Sequence, residues 1–468
     1  MHAACPWQFY VRSTQPSQAF AEEIQSGWSQ RNEKVVVLDD DPTGCQTVHD
    51  IDVLLRWDKE MLRRVLDDEK HHLFYILTNI RSLSARDAEQ RHNEIAARVG
   101  ALAQERNQKI RVISRGDSTL RGHFPQDLRP FWEHSAYGNI SGILIIPAFF
   151  EGGRYTFQGI HYVKHGDAYV SADETEFARD PAFHYESAYL PQWIHEKCPE
   201  IHAEDVLLID LQAIRSGGVV YIANQLQQVR DRKCVVIDAV DEEDLETVAR
   251  AVLLCEYHGQ NFLYRTAASF VRIYGGISRR PLLDATEIAD QSDTGGLVMV
   301  GSFVGKTTGQ LEKLFEVEGI QPVELRTLQL MMNKCNEEIE RAVQQISEGL
   351  EQGRCVVCYT SRPLVKSSSA EEGLKIGARV SSSVVDVVRR LTVRPSFFIA
   401  KGGITSHDIA ESGLGVTKAT VKGQVLPGVP VWELGSESKW PGLKYVVFPG
   451  NVGEPTALAQ LVCSLRQP

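Results

Sequence analysis

The sequence predicts two α/β domains with mostly parallel sheets and an interdomain cleft, and three observations carry that prediction. Short β-branched runs recur along the chain. Stretches whose apolar residues return every three or four positions separate them, and a break rich in Pro, Gly and charge falls at residues 278–296 (SRRPLLDATEIADQSDTGG). A length of 468 residues suits two or three domains, and 43% hydrophobic with 24% charged residues is the balance of a chain with a large core.

Residues 1–33 are polar and interrupted by Pro and Ser, so they read as an extension or loose helix ahead of the first domain. The first strand is KVVVL, residues 34–38, whose carboxyl end opens into acidic and Gly residues. Further strands are read in HLFYILTN, KIRVISR, GILIIPAFF, DVLLIDL and KCVVID, with a helix over residues 85–104. This alternation implies a mostly parallel sheet with helices on both faces, and the first domain is assigned residues 34–293. After the break, LVMV and the runs at 355–359, 396–400 and 445–448 alternate with helices over 327–352 and 378–391, which predicts a second α/β domain over 294–468.

Composition excludes several partners. Subtracting 61 Asp+Glu from 50 Lys+Arg leaves a net charge of −11, which argues against nucleic acid. No run approaches the ~20 apolar residues of a membrane-spanning helix, and the first residues lack a signal-type apolar core, so no membrane partner and a cytoplasmic location are expected. Nine cysteines spread over the chain read as free thiols. Cys355 and Cys358 have C-x-x-C spacing but lie in an apolar, strand-like run with no second pair, so core packing is expected of them. Whether copies of the chain associate as a homo-oligomer is left open.

Ligands of open α/β sheets sit beyond the carboxyl ends of strands, and four such places are unusually polar. Asp39, Asp40, Asp41, Pro42, Thr43 and Gly44 follow the first strand. Adjacent carboxylates repel, so they favour a nearby cation or a hydroxyl-rich ligand; a solvated turn capping a helix is the plainer alternative. Arg81 follows the next strand and could fork onto a carboxylate or sit in a surface ion pair. The segment from Arg115 to Gly122 (RGDSTLRG) holds two Arg, Asp117, Ser118, Thr119 and two Gly; helix capping accounts for Asp117 or Ser118 but not for the arginines.

The fourth place lies in the second domain. GLVMVGSFVGKTTGQ invites a Walker A reading, but Gly301 and Gly305 leave three intervening residues where that motif needs four. Gly301 and Ser302 could still present N–H groups and a hydroxyl to phosphates. Gly402 with Gly403, and Gly450 with Gly453, also follow strands, and three such turns in one domain suggest a backbone-lined nucleotide cleft.

Taken together, Asp40 to Gly44, Arg115 to Gly122, Gly402 to Ser406 and Pro449 to Gly453 make the chain resemble the four-carbon acid sugar kinases over about residues 34–460. Members typically carry Asp-Asp-x-Thr-Gly, Lys-x-Asp-Ser-Thr-Leu-Arg-Gly, Gly-Gly-Glu-Thr-Ser and Ser-Gly-Asn-Phe-Gly. Arg115, Ile404, Pro449 and Val452 depart from those patterns. The resemblance implies an amino-terminal domain that holds threonate, erythronate or 3-oxo-tetronate and a carboxy-terminal domain that binds ATP with Mg2+. It implies substrate contacts for Asp40, Asp41, Arg81, Arg115, Asp117 and Ser118, and ATP contacts for Ser302, Gly402, Gly403, Ile404, Thr405 and Gly450. The chemistry of such a transfer makes Asp40 and Asp41 the expected catalytic residues, orienting hydroxyls with one of them accepting the attacking proton, and Asp117 the next candidate base. Residues 152–181 also resemble the family's middle region, and Arg154, His161 and Arg179 within it are given no role. No metal ligands are assigned. A non-catalytic sugar-acid sensor is the main rival. A dinucleotide-dependent dehydrogenase is disfavoured, because three aspartates rather than G-x-G-x-x-G follow the first strand.

Overall fold

The computed structural model describes residues 18–302, 304–332, 334–362 and 370–466. The chain divides into two compact units, Met1–Arg279 and Arg280–Pro468. No helix among the described residues is long and apolar enough to cross a membrane.

The strands of the first unit are β1 (Glu33–Asp39), β2 (Ile51–Leu54), β3 (Leu73–Leu77), β4 (Lys109–Arg115), β5 (Gly142–Ile146), β6 (Arg154–Phe157), β7 (Ile160–His165), β8 (Ala168–Ser171), β9 (Leu207–Ile209), β10 (Lys233–Ile237) and β11 (Phe262–Thr266). Eight of them run in the order β2-β3-β1-β4-β11-β5-β10-β9, and every pairing is parallel. Val36, Leu38, Phe74, Ile76, Val112 and Ile145 are buried among Ile95, Val99 and Leu102 of the helix Ala85–Glu105, whose apolar positions recur at helical spacing. Ser84 caps that helix by accepting from the Asp87 N–H at 3.2 Å. β6, β7 and β8 form a separate antiparallel sheet.

This strand order decides where a ligand can sit. The chain leaves β1 toward β3 on one side, while β4 pairs on the other, so the crevice between their carboxyl ends is a topological switch point. Register levels the ends: Asp39 is opposite Leu77 and Arg115, and Arg115 is opposite Thr266. The loops after β1, β3, β4 and β11 therefore leave from one row.

The second unit contains β12 (Leu297–Val300), β13 (Ile320–Leu325), β14 (Cys355–Thr360), β15 (Phe398–Lys401), β16 (Lys418–Leu426), β17 (Val429–Leu434) and β18 (Lys444–Phe448), in the order β13-β14-β12-β15-β18-β17-β16. The first five are parallel; β17 turns antiparallel to β18, and β16 to β17. Both units are thus α/β, with mixed but mostly parallel sheets.

Several elements differ from the sequence reading. The helix expected over 327–352 is two, Thr327–Met331 and Cys335–Glu351, because Met332 is extended at φ −91°, ψ 175°. The helix expected from 378 begins at Ala370. Residues 18–29 of the expected extension form a helix (Gln18–Ser29) whose Trp28 is buried, donates from Nε1 to the Tyr274 carbonyl at 3.1 Å and stacks on His72; residues 1–17 lie outside the described residues. Cys355 and Cys358 are buried in β14, and their odd spacing in a strand points them to opposite faces. Burial pushes both thiols up to about 12.

Candidate functional site

The first unit gathers its polar loops around Asp40. The chain turns sharply after β1: the Gly44 N–H donates to the Asp41 carbonyl at 2.9 Å, and a Cβ on Gly44 would lie 2.0 Å from Asp39 Oδ1, so no side chain fits there. Asp41 closes the turn by accepting from the Thr43 N–H at 2.8 Å and from the Thr43 hydroxyl. The loop after β4 approaches from the other side, where a Cβ on Gly122, at φ +122°, would lie 3.4 Å from Asp40 Oδ2.

Arginines lace these carboxylates together. Arg81 donates from Nη1 to Asp117 Oδ1 at 2.7 Å, pairs through Nη2 with Asp41, and stands 3.9 Å from Asp40 Oδ1. Arg115 Nη1 lies 3.4 Å from Asp39 Oδ1 and 3.8 Å from Asp40 Oδ1. Arg121 forks onto Asp117, with Nε to Oδ2 at 2.9 Å and Nη2 to Oδ1 at 3.1 Å. Arg81 and Arg115, expected to hold a substrate carboxylate, are thus engaged with carboxylates of the protein itself.

Asp40 is the exception in this lattice. It is 5% exposed, and neither of its oxygens accepts a hydrogen bond. Burial raises its pKa, outweighing the pull of Arg81, Arg115 and Arg265. Burial also opposes ionisation of Asp41, but Arg81 and the Thr43 hydroxyl and N–H prevail and hold it below the ordinary carboxylate value. Asp117 is held far lower still, as Arg81 and Arg121 override its burial. Asp39 is pushed up to about 8, chiefly by burial, against the attraction of Arg115. Neighbouring carboxyls whose affinities for a proton are driven apart in this way are suited to different tasks.

Other groups position the site: Arg265, which the sequence reading passed over, and His161, to which it gave no role. Arg265, on β11, fills the space beside Gly116 and pairs through Nε with Asp127 at 3.2 Å. His161, on β7, is fully buried, with Nε2 2.8 Å from the Ser118 carbonyl and Nδ1 3.1 Å from Thr156 Oγ1. Burial holds the imidazole down at about 4, so it is neutral near pH 7 and fixes the Ser118 backbone by a hydrogen bond. The available signal was β11 itself: NFLYRT carries an arginine one residue before its end, close to where KIRVISR carries Arg115, and Arg265 is opposite Ser114 in register.

In the second unit the three glycine turns converge. A Cβ on Gly301 would lie 2.3 Å from Thr405 Oγ1; one on Gly402, 3.1 Å from Ser302 Cβ; one on Gly450, 2.8 Å from Ser302 Oγ. Gly301, Ser302, Gly402, Thr405 and Gly450 therefore share one cradle that larger residues would fill. Gly403 opens the helix Gly403–Asp408, and the Ile404 side chain is 58% exposed. Thr307 ties the turns together, its hydroxyl lying 3.1 Å from Ser302 Oγ and 3.0 Å from the Gly450 carbonyl oxygen. Gln310 holds the Val452 and Glu454 carbonyls, and Arg362 donates to the Ser302 carbonyl at 2.8 Å. Lys401 is fully buried, donates to the Pro449 carbonyl at 2.6 Å and lies over the Phe448 ring; burial lowers its pKa to about 7, with Lys306 adding to the effect. A cradle lined by backbone and hydroxyls, with Arg362 beside it, fits a polyphosphate. Among the described residues no three His, Cys, Asp or Glu side chains are grouped to hold a metal ion.

Comparison with known proteins agrees with this division. Residues 35–274 match the family described as the sugar-binding N-terminal domain, and residues 297–458 match that described as the nucleotide-binding C-terminal domain. Among solved structures, a Salmonella typhimurium LT2 protein described as a candidate tRNA synthase shares the fold at a TM-score of 0.68 and 16% identity, covering 93% of this chain and 99% of its own. A Haemophilus influenzae protein of the DUF1537 family does so at 0.62 and 18%, covering 92% and 99%. No curated protein matches the sequence. The fold and the two matches thus define an α/β protein built from a sugar-binding and a nucleotide-binding domain. The chain belongs to the family built from these two domains, which places it with the four-carbon acid sugar kinases at the level of family and superfamily.

Proposed function

We propose that the protein is a cytoplasmic, ATP-dependent kinase that phosphorylates the terminal hydroxyl of a four-carbon acid sugar: threonate, erythronate or 3-oxo-tetronate. Residues 34–293 would hold the sugar and residues 294–468 the nucleotide. The observation that carries this reading is Asp40, a buried carboxylate with both oxygens lacking a hydrogen-bond donor in the loop after β1. An orphaned buried acceptor costs about 1–3 kcal/mol, and a substrate hydroxyl supplies the missing donor.

Phosphoryl transfer asks the protein mainly for positioning and charge stabilisation. Asp40 orients the attacking hydroxyl and takes its proton as the oxygen–phosphorus bond forms and the bond to the departing ADP breaks. Its raised pKa makes it a better base than Asp41 or Asp117, which stay ionised against their arginines. Asp41 and Asp117 fix Arg81, and Arg115 keeps positive charge beside Asp40. Ser118, buried and held through its carbonyl by His161, offers a hydroxyl to the sugar. The turns at Gly301–Ser302, Gly402–Thr405 and Gly450 cradle the ATP phosphates. Mg2+ would arrive with the ATP phosphates and would offset their negative charge.

An assay coupled to ADP release tests the reading with threonate, erythronate and 3-oxo-tetronate. ADP should form only when an acid sugar is present. A purified, folded protein that releases none with any of the three overturns it.

A further inference from the structure

Arg154, the first residue of β6, is a cation near Asp117 and Glu176 that neither carboxylate meets in an ion pair. Among the described residues no Asp or Glu forms an ion pair with it; its Nη1 donates to the Gly152 carbonyl, and its Nε is buried without a partner. Every other arginine in this cluster is engaged: Arg81 by Asp41 and Asp117, Arg115 by Asp39 and Asp40, Arg121 by Asp117 and Asp180, Arg265 by Asp127.

Its place is fixed by the backbone. Phe149 and Arg154 exchange N–H to carbonyl bonds of 3.1 and 2.8 Å, which sets Arg154 just beyond the carboxyl end of β5. Arg154 and Arg121 lie against the same Phe177 ring, with guanidinium carbons 6.0 and 5.0 Å from its centre, and Arg121 is the residue that forks onto Asp117. Arg154 therefore flanks the 115–122 loop. Burial lowers its pKa, and Asp117, the strongest opposing attraction, does not reach it as an ion pair. A partly buried cation in this position is stabilised by an incoming anion.

We propose that Arg154 receives the carboxylate of the substrate and so sets the preference for an acid sugar over a neutral polyol; this rests on the acid-sugar reading above. A guanidinium presents paired N–H donors that match a planar carboxylate, and Arg154 alone in the cluster has them uncommitted to a protein carboxylate. The carboxylate end is then anchored at β6, leaving the hydroxyls to Asp40 and Ser118.

Calorimetric titration of the full-length protein with threonate and with erythronate, without nucleotide, tests this. Wild type should bind at least one of them. Arg154→Gln should weaken that binding roughly tenfold or more, and Arg154→Lys, which keeps the charge without the fork, should fall between. Melting temperature and ATP affinity should stay at wild-type values in both. Wild type that binds neither acid sugar overturns the proposal. So does a folded Arg154→Gln that binds within about twofold of wild type, or a loss in both variants that tracks melting temperature, the signature of a structural arginine. If acid sugar binds but no ADP ever forms, the kinase reading falls while the titration still decides the role of Arg154.

Discussion

The guanidinium of Arg265 occupies the space in which a side chain at Gly116 would begin: a Cβ there would lie 1.2 Å from Nη1. β11 and the loop after β4 are therefore locked, and Arg265 in turn pairs with Asp127 and donates to the Arg121 carbonyl at 3.2 Å. Gly116→Ala should cost about 1–3 kcal/mol by overpacking and lower activity as the loop shifts. Thermal denaturation checks this. Adding Arg265→Ala should restore part of the melting temperature, because the two substitutions share one space.

Asp40→Asn keeps the shape of the side chain and removes the base. Turnover should fall about 10²–10⁴-fold. The melting temperature should hold or rise, since a buried charge without hydrogen bonds is lost. Steady-state kinetics beside a melting curve separates this from a structural role, in which both would fall together.

Asp39 gives a pH dependence with a definite sign. Its carboxyl binds a proton more tightly folded than unfolded, with a pKa raised from 3.8 to about 8. Its contribution is fully present below pH 3.8 and is lost as pH rises toward 8. Asp39→Asn should flatten that decline in urea titrations run between these values.

Lys401 acts in the opposite sense. Its folded pKa is lowered from 10.5 to about 7, so the unfolded chain binds the extra proton and stability rises with pH across that window. Lys401→Met should remove the rise and raise stability at pH 7 and below, as read by the same titrations.

Gly402 adopts φ +119°, a conformation that costs an L side chain, and its neighbour Ser302 stands 3.1 Å from where a Cβ would be. Gly402→Ala should weaken ATP binding about tenfold, equivalent to about 1.4 kcal/mol, while acid-sugar binding stays unchanged. Titrating each ligand separately shows whether the loss is confined to the nucleotide.

Much of the fold was legible because parallel strands buried on both faces read as unbroken apolar runs: KVVVL, LFYIL and GILII stand out without any partner. Three strands that escaped break that rule for physical reasons. β11 carries Arg265, a charge tolerated there because Asp127 meets it. β13 contains Pro322, which a strand pairing only with β14 can accommodate. β16 alternates buried and half-exposed residues, so no apolar run marks it.

At the sites, the turns after β1, β4, β12, β15 and β18 were visible from Asp, Gly and hydroxyl clusters placed after strands. Which carboxylate would lack a donor was not visible, because it depends on how Arg81 is shared between Asp41 and Asp117, 36 residues or more apart in sequence. Arg154 stood out only as part of a segment resembling the family and was given no role, because a missing partner leaves no mark in a sequence.

The central claim, phosphoryl transfer to an acid sugar with Asp40 as the base, is tested most directly by phosphorus NMR of a reaction containing ATP, Mg2+ and the acid sugar that binds best. A new phosphate-monoester signal should grow as ADP appears, and with Asp40→Asn it should grow at least about a hundredfold more slowly. ADP accompanied only by inorganic phosphate, or an Asp40→Asn enzyme that forms the monoester at the wild-type rate, would contradict it.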